Sequence, residues 1–188
     1  MHYLEQVEEY FETLIDTLHK IDRSALVNII KLIELTVKNN QTIYVMGNGG
    51  SASTASHMQN DLGNIVTQIC GQRVKIYCLS DNIPTITAIA NDYSYDVIYL
   101  RQLQGRLEKE DLLIAISVSG NSQNILNAVE YAKSVKANVV AMTGFSGGEL
   151  KRHANFNINV PIDNMQISED VHLIFNHLIT YILNSVKN

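Results

Sequence analysis

Apolar residues recur at helical spacing through the first forty positions. Leu14, Leu18, Leu26, Ile29, Ile30, Ile33 and Leu35 form stripes within Tyr3–His19 and Ser24–Lys38, which predicts two amphipathic helices arranged as a hairpin. From residue 42 the period changes. Short apolar runs at 42–46, 74–79, 111–117, 138–143 and 156–160 alternate with helical stretches at 52–64, 82–91, 122–135 and 166–186. Runs such as Asn138-Val139-Val140-Ala141-Met142 are apolar throughout rather than at every second residue, as parallel strands covered on both faces require. The pattern therefore predicts an α/β fold: a doubly wound, parallel, five-stranded sheet behind an N-terminal helical hairpin. The expected organisation is one domain over 1–188, with the hairpin at 1–40 and the α/β sandwich at 41–188.

Two strand-to-helix turns carry candidate chemistry. Gly47-Asn48-Gly49-Gly50-Ser51 follows Ile43-Tyr44-Val45-Met46 and opens a helix, so free backbone N–H groups point at one spot and suit an anion. Ser117-Val118-Ser119-Gly120-Asn121-Ser122 follows Leu112-Leu113-Ile114-Ala115-Ile116 in the same way, with hydroxyls in place of glycines. In doubly wound sheets ligands bind beyond the carboxyl ends of the strands, where both turns lie. Neither is a common nucleotide fingerprint: the first has no Lys-Ser/Thr ending, and Ala52 stands where a dinucleotide loop has its last glycine. Hydroxyls and N–H groups without a lysine point to a sugar phosphate gripped from two sides. The serines also suit capping of the next helix, and the two uses share one geometry.

Composition narrows the partners. The 188 residues are 46% hydrophobic and 18% charged, ordinary for one soluble domain, and no run approaches the length of a membrane span. A net charge of −5 with a pI near 5.6 and no basic patch argues against nucleic acid. The chain starts directly in acidic amphipathic sequence without a signal-peptide pattern, and Cys70 and Cys78 have no metal or disulfide spacing. The expected location is cytoplasmic, with reduced thiols.

In order and spacing, Gly47-Asn48-Gly49-Gly50-Ser51-Ala52, His57, Ala88-Ile89-Ala90-Asn91-Asp92, Ser117–Ser122, Thr143-Gly144 and Gly147-Gly148 resemble the sugar isomerase (SIS) domain. Within that family the chain is similar to the phosphoheptose isomerase subgroup, which interconverts sedoheptulose 7-phosphate and glycero-manno-heptose 7-phosphate. The resemblance implies a flavodoxin-like SIS fold, a homotetramer with active sites between subunits and, as in several members, a zinc ion. It places phosphate and sugar contacts at Ser51, Ser117, Ser119 and Ser122, loop contacts at Asn48, Gly49 and Gly50, and a substrate-contacting pair at Asn91 and Asp92. An ordinary helix C-terminus is the other reading of Asn91-Asp92. It also implies Asp61 and His177 as the catalytic acid/base pair, and His57, Asp61, Glu169 and His177 as metal ligands.

Elementary geometry bears on those four. His57 and Asp61 are four residues apart on a helix and share a face, while Glu169 and His177 are eight apart, about two turns along one stripe. Asp170, seven residues before His177, is an alternative to Glu169. Two histidines and two carboxylates suit zinc or another first-row divalent metal. His172 falls on a different face from His177, which suggests a structural or supporting role. The chain departs from the subgroup in four places. Asp61 replaces a glutamate, Ile65 an arginine, Val118 a threonine between the two serines, and Glu169 a neutral glutamine, a change that adds charge and should strengthen cation binding. The expected activity is aldose–ketose isomerisation through an enediol. Two other classes share the domain: a sugar-phosphate sensor without turnover, and a scaffold that bridges copies of a replication initiator. The segment Gly144-Phe145-Ser146-Gly147-Gly148-Glu149-Leu150 resembles the scaffold, but a scaffold has no use for His177.

Overall fold

Five parallel strands and eight α-helices appear among the described residues of a computed structural model, which covers residues 3–70 and 75–185 and, at 65–70, the backbone alone. In chain order they are α1 (Tyr3–His19), α2 (Arg23–Lys38), β1 (Ile43–Gly47), α3 (Gly50–Cys70), β2 (Ile76–Cys78), α4 (Ile83–Asp92), α5 (Ile98–Leu103), β3 (Leu112–Ser117), α6 (Gln123–Ser134), β4 (Asn138–Thr143), α7 (Gly148–His153), β5 (Phe156–Asn159) and α8 (Met165–Ser185). The helix ends are set locally. The Asp22 carboxylate accepts from the N–H groups of Ser24 and Ala25 at 2.9 and 3.0 Å, which starts α2. Asn82 does the same for α4, with Pro84 in its first turn where a missing N–H costs nothing.

The strand order is β2-β1-β3-β4-β5, every pair parallel. The chain runs outward from β1 to β2, returns to β3 on the other side of β1, and then continues outward to β5. The reversal of direction lies between β1 and β3, and register pairs Gly47 with Ile116, so these strands end level. The two turns singled out from the sequence therefore sit side by side over the crevice.

Continuous apolarity in the strands is split between two cores. Ile43, Val45, Leu112, Ile114, Val140 and Met142 pack with α2, α3 and α8 on one face. Tyr44, Met46, Leu113, Ala115, Val139 and Ala141 pack with α5 and α6 on the other. Strand β2 is only three residues long, shorter than the expected 74–79, whose first residue lies outside the description, as does the end of the helix expected to 186. Helices α5 and α7 were not predicted. Each is six residues, too short to show a helical period, and a 3-10 turn at Tyr95–Val97 leads into α5.

Candidate active site

A pocket of about 260 Å³ opens between the two turns, walled by Gly49, Gly50 and Ser51 on one side and by Ser117, Ser119 and Ser122 on the other. Gly49 adopts φ +56°, a left-handed conformation that glycine takes freely, and α3 begins at the next residue with its unpaired N–H groups toward the pocket. The opposite turn is pinned from below. Gly120 has φ +66°, and a β-carbon there would overlap the Gly147 carbonyl, while Leu150 N–H donates to Gly120 O at 2.9 Å and Glu149 N–H to Asn121 Oδ1 at 3.0 Å. Ser122 occupies the N-cap position of α6 but its side chain makes no capping bond, so its hydroxyl remains for a ligand. No lysine or arginine lines the pocket among the described residues.

Asn48 belongs to the pocket wall, but its side chain is turned to the protein. Its Nδ2 donates to Asn124 Oδ1 at 3.0 Å, and its Oδ1 accepts from Asn124 Nδ2 at 2.9 Å, Tyr99 Oη at 3.0 Å and Tyr95 Oη at 3.1 Å. The Tyr99 hydroxyl also lies 2.5 Å from Gly47 O, so its single proton is shared between that carbonyl and Asn48 Oδ1, and burial pushes its pKa up to about 12, which keeps the proton in place. This network fixes the peptide of the loop. Sequence reasoning missed Tyr95, Tyr99 and Asn124, because none stands in a motif and they are brought together only by the packing of the 3-10 turn at Tyr95–Val97 and of α5 against α6.

The second cluster forms where α3 meets α8. The two helices run side by side in the same direction, Gly50 against Glu169 and Asp61 against Asn176. His57 Nε2 lies 3.3 Å from Asp61 Oδ2, and the His57 and His177 rings are 4.9 Å apart, centroid to centroid, at 74°. One ligand atom from each of His57, Asp61 and His177 lies within 4.8 Å of the others. Tetrahedral coordination at about 2.0–2.1 Å places ligand atoms about 3.3 Å apart, so this trio fits a divalent ion after a small contraction, with the fourth position open. Asn176, buried completely, donates from Nδ2 to Asp61 Oδ2 at 2.9 Å and fixes the carboxylate from behind.

Glu169, expected as a fourth ligand, is not part of this trio. Its carboxylate lies against Gly50, in the anion pocket, where a methyl group on Gly50 would overlap it. The alternative, Asp170, is committed elsewhere: Tyr10 Oη donates to its Oδ2 at 2.6 Å. Asn91 and Asp92 end α4, exposed and hydrogen-bonded to each other at 3.0 Å. The side chain of Ile65 is outside the described residues. His172 is fully buried and its Nε2 faces Thr143 O at 3.1 Å; burial pushes its pKa down to about 4, so it is neutral and ties α8 to the end of β4. No described helix is long and apolar enough to cross a membrane.

The comparisons agree with this architecture. A sequence profile for the SIS domain matches residues 2–144. The phosphoheptose isomerase of Aliarcobacter butzleri is 33% identical over 182 residues, covering 96% of this chain and 91% of that protein. Phosphoheptose isomerase structures from Neisseria gonorrhoeae and Francisella tularensis superpose with a TM-score of 0.89 each, at 28% and 30% identity, covering 98% of this chain and 100% and 99% of theirs. The chain belongs to the SIS-domain family and, within it, to the phosphoheptose isomerases.

Proposed function

We propose that the protein is an aldose–ketose isomerase of a sugar phosphate, with sedoheptulose 7-phosphate and its aldose partner as the substrate pair. The observation that carries this reading is the joining, by one pair of helices, of a hydroxyl-lined anion pocket to a cluster of two imidazoles and a carboxylate. The names of its relatives in Aliarcobacter and Neisseria support the seven-carbon sugar.

Serines 51, 117, 119 and 122 and the N–H groups of Gly49 and Gly50 anchor the phosphate and fix the direction of the sugar chain. Asp61 and His177 exchange the proton. One removes it from the carbon beside the carbonyl, giving an enediol, and the partner returns a proton to the neighbouring carbon; which acts first depends on the direction of reaction. Asn176 holds the Asp61 oxygen in place for this transfer. His57, Asp61 and His177 would hold the metal, zinc by the chemistry of the donors, and a bound ion would polarise the carbonyl and offset enediolate charge. Asn91 and Asp92, exposed at the end of α4, are assigned to substrate contact in the assembled oligomer.

That oligomer is a homotetramer in this reading. Tyr3, Leu4, Val7, Phe11 and Ile15 expose an apolar stripe on α1, Leu178 and Tyr181 are exposed on α8, and an apolar groove of about 240 Å³ runs between α2 and α8. A cytoplasmic location goes with the free thiol of Cys78. The test is conversion of sedoheptulose 7-phosphate by the purified full chain, with zinc supplied or chelated. Turnover that rises with zinc is expected, and no aldose product under zinc-replete conditions refutes the assignment.

A further inference from the structure

The anion pocket already contains an anion. The Glu169 carboxylate lies against Gly50, the first residue of the 21-residue helix α3, within the same cavity as Ser117, Ser119 and Ser122. A carboxylate is favoured there by the positive end of the helix dipole, where the first N–H groups of α3 have no partner within the helix. A phosphate entering the pocket wants the same N–H groups. No side-chain cation offsets the added charge, because no lysine or arginine lines the pocket among the described residues. Two like charges about 5 Å apart in a half-exposed protein site repel by enough to cost more than tenfold in affinity.

We propose that Glu169 determines the ligand selectivity of this pocket by acting as a built-in competitor for the phosphate group. It rests on the reading of the pocket as the phosphate anchor. In the free protein the carboxylate holds the place beside Gly50, and a phosphorylated ligand binds only by turning it out. Simple anions, with no sugar chain to contribute further contacts, are thereby rejected. A glutamine at this position would keep the shape and lose the repulsion, so the property belongs to the charge and not to the bulk of the side chain.

The experiment measures the affinity of inorganic phosphate, and of sulfate as a second dianion, for the chelator-treated full chain by calorimetry. Wild type is compared with Glu169→Gln and Glu169→Ala. Both variants should bind phosphate at least tenfold more tightly than wild type, and adding Ser119→Ala to Glu169→Gln should cancel the gain, which locates the anion in this pocket. A Glu169→Gln affinity within twofold of wild type, or a gain seen only with alanine, overturns the proposal. The readout needs no turnover. Tighter phosphate binding in a protein that isomerises nothing would leave this inference standing and remove the isomerase, and the converse result would do the opposite.

Discussion

The anion pocket and the His57–Asp61–His177 cluster share helices α3 and α8 but are held in different ways. The pocket is made at the level ends of β1 and β3, from backbone N–H groups and short hydroxyl side chains whose positions follow from strand register. Glycine conformations and the Asn48–Asn124–Tyr99 network lock it. The cluster is made of longer side chains extended from two helix surfaces, with His57 and His177 exposed and only Asp61 tied from behind by Asn176. The first takes its geometry from the sheet. The second takes its geometry from helix–helix packing. In the proposed mechanism recognition and chemistry fall on parts held in these two ways, and substitutions should separate them.

The largest separation is expected at His177. His177→Ala removes a proton carrier that is exposed and packs little, so folding should be intact while kcat falls about 10³-fold or more, within the range of general acid–base catalysis. Phosphate affinity should not change. The check is steady-state kinetics on the sugar phosphate beside calorimetry with inorganic phosphate. Full turnover in the variant would remove His177 from the mechanism, and a joint loss of both properties would show that the two regions are not independent.

The opposite separation comes from the pocket. Replacing Ser119 and Ser122 together by alanine removes two hydroxyl donors to a charged group, each worth roughly 1.5–3 kcal/mol. Sugar-phosphate affinity should fall by about 100-fold or more, and metal content per chain should not change. Calorimetry and elemental analysis on the same preparations measure both. Unchanged affinity would mean that the phosphate is held elsewhere.

The same contrast explains what could be read from the sequence. The strand-to-helix turns were legible because glycine and serine at the end of an apolar run specify a backbone conformation locally, and the alternation of runs specified the doubly wound sheet. The His57–Asp61 pair was legible too, since spacing by four on one helix guarantees a shared face. What joins His177 to them is the placement of α8 against α3, which no local spacing encodes, and the family resemblance supplied it. Glu169 shows the limit. The resemblance placed it with His177 among the metal ligands and the spacing of eight allowed that, whereas its carboxylate lies against Gly50, where the absence of a side chain leaves room over the start of α3. Asn176 and the tyrosines around Asn48 were missed for the same reason, being polar partners defined only by tertiary packing.

The smallest effect concerns the strut that relates the two regions. His172 stands on α8 between Glu169 and His177 and meets the carbonyl of Thr143 at the end of β4, so it sets where α8 sits over the sheet. Burial penalises the charged ring and pushes its pKa in the folded chain down to about 4 from the ordinary 6.5. Between these two values the unfolded chain binds a proton that the folded chain does not, so stability rises with pH through this window and is lost as pH falls from about 6.5 toward 4. The full shift corresponds to at most about 3 kcal/mol. In urea unfolding at a series of pH values, His172→Gln should flatten this segment of the profile while lowering stability at neutral pH, since glutamine does not titrate and fits the site less well. An unchanged acid slope in the variant would place the titrating group elsewhere.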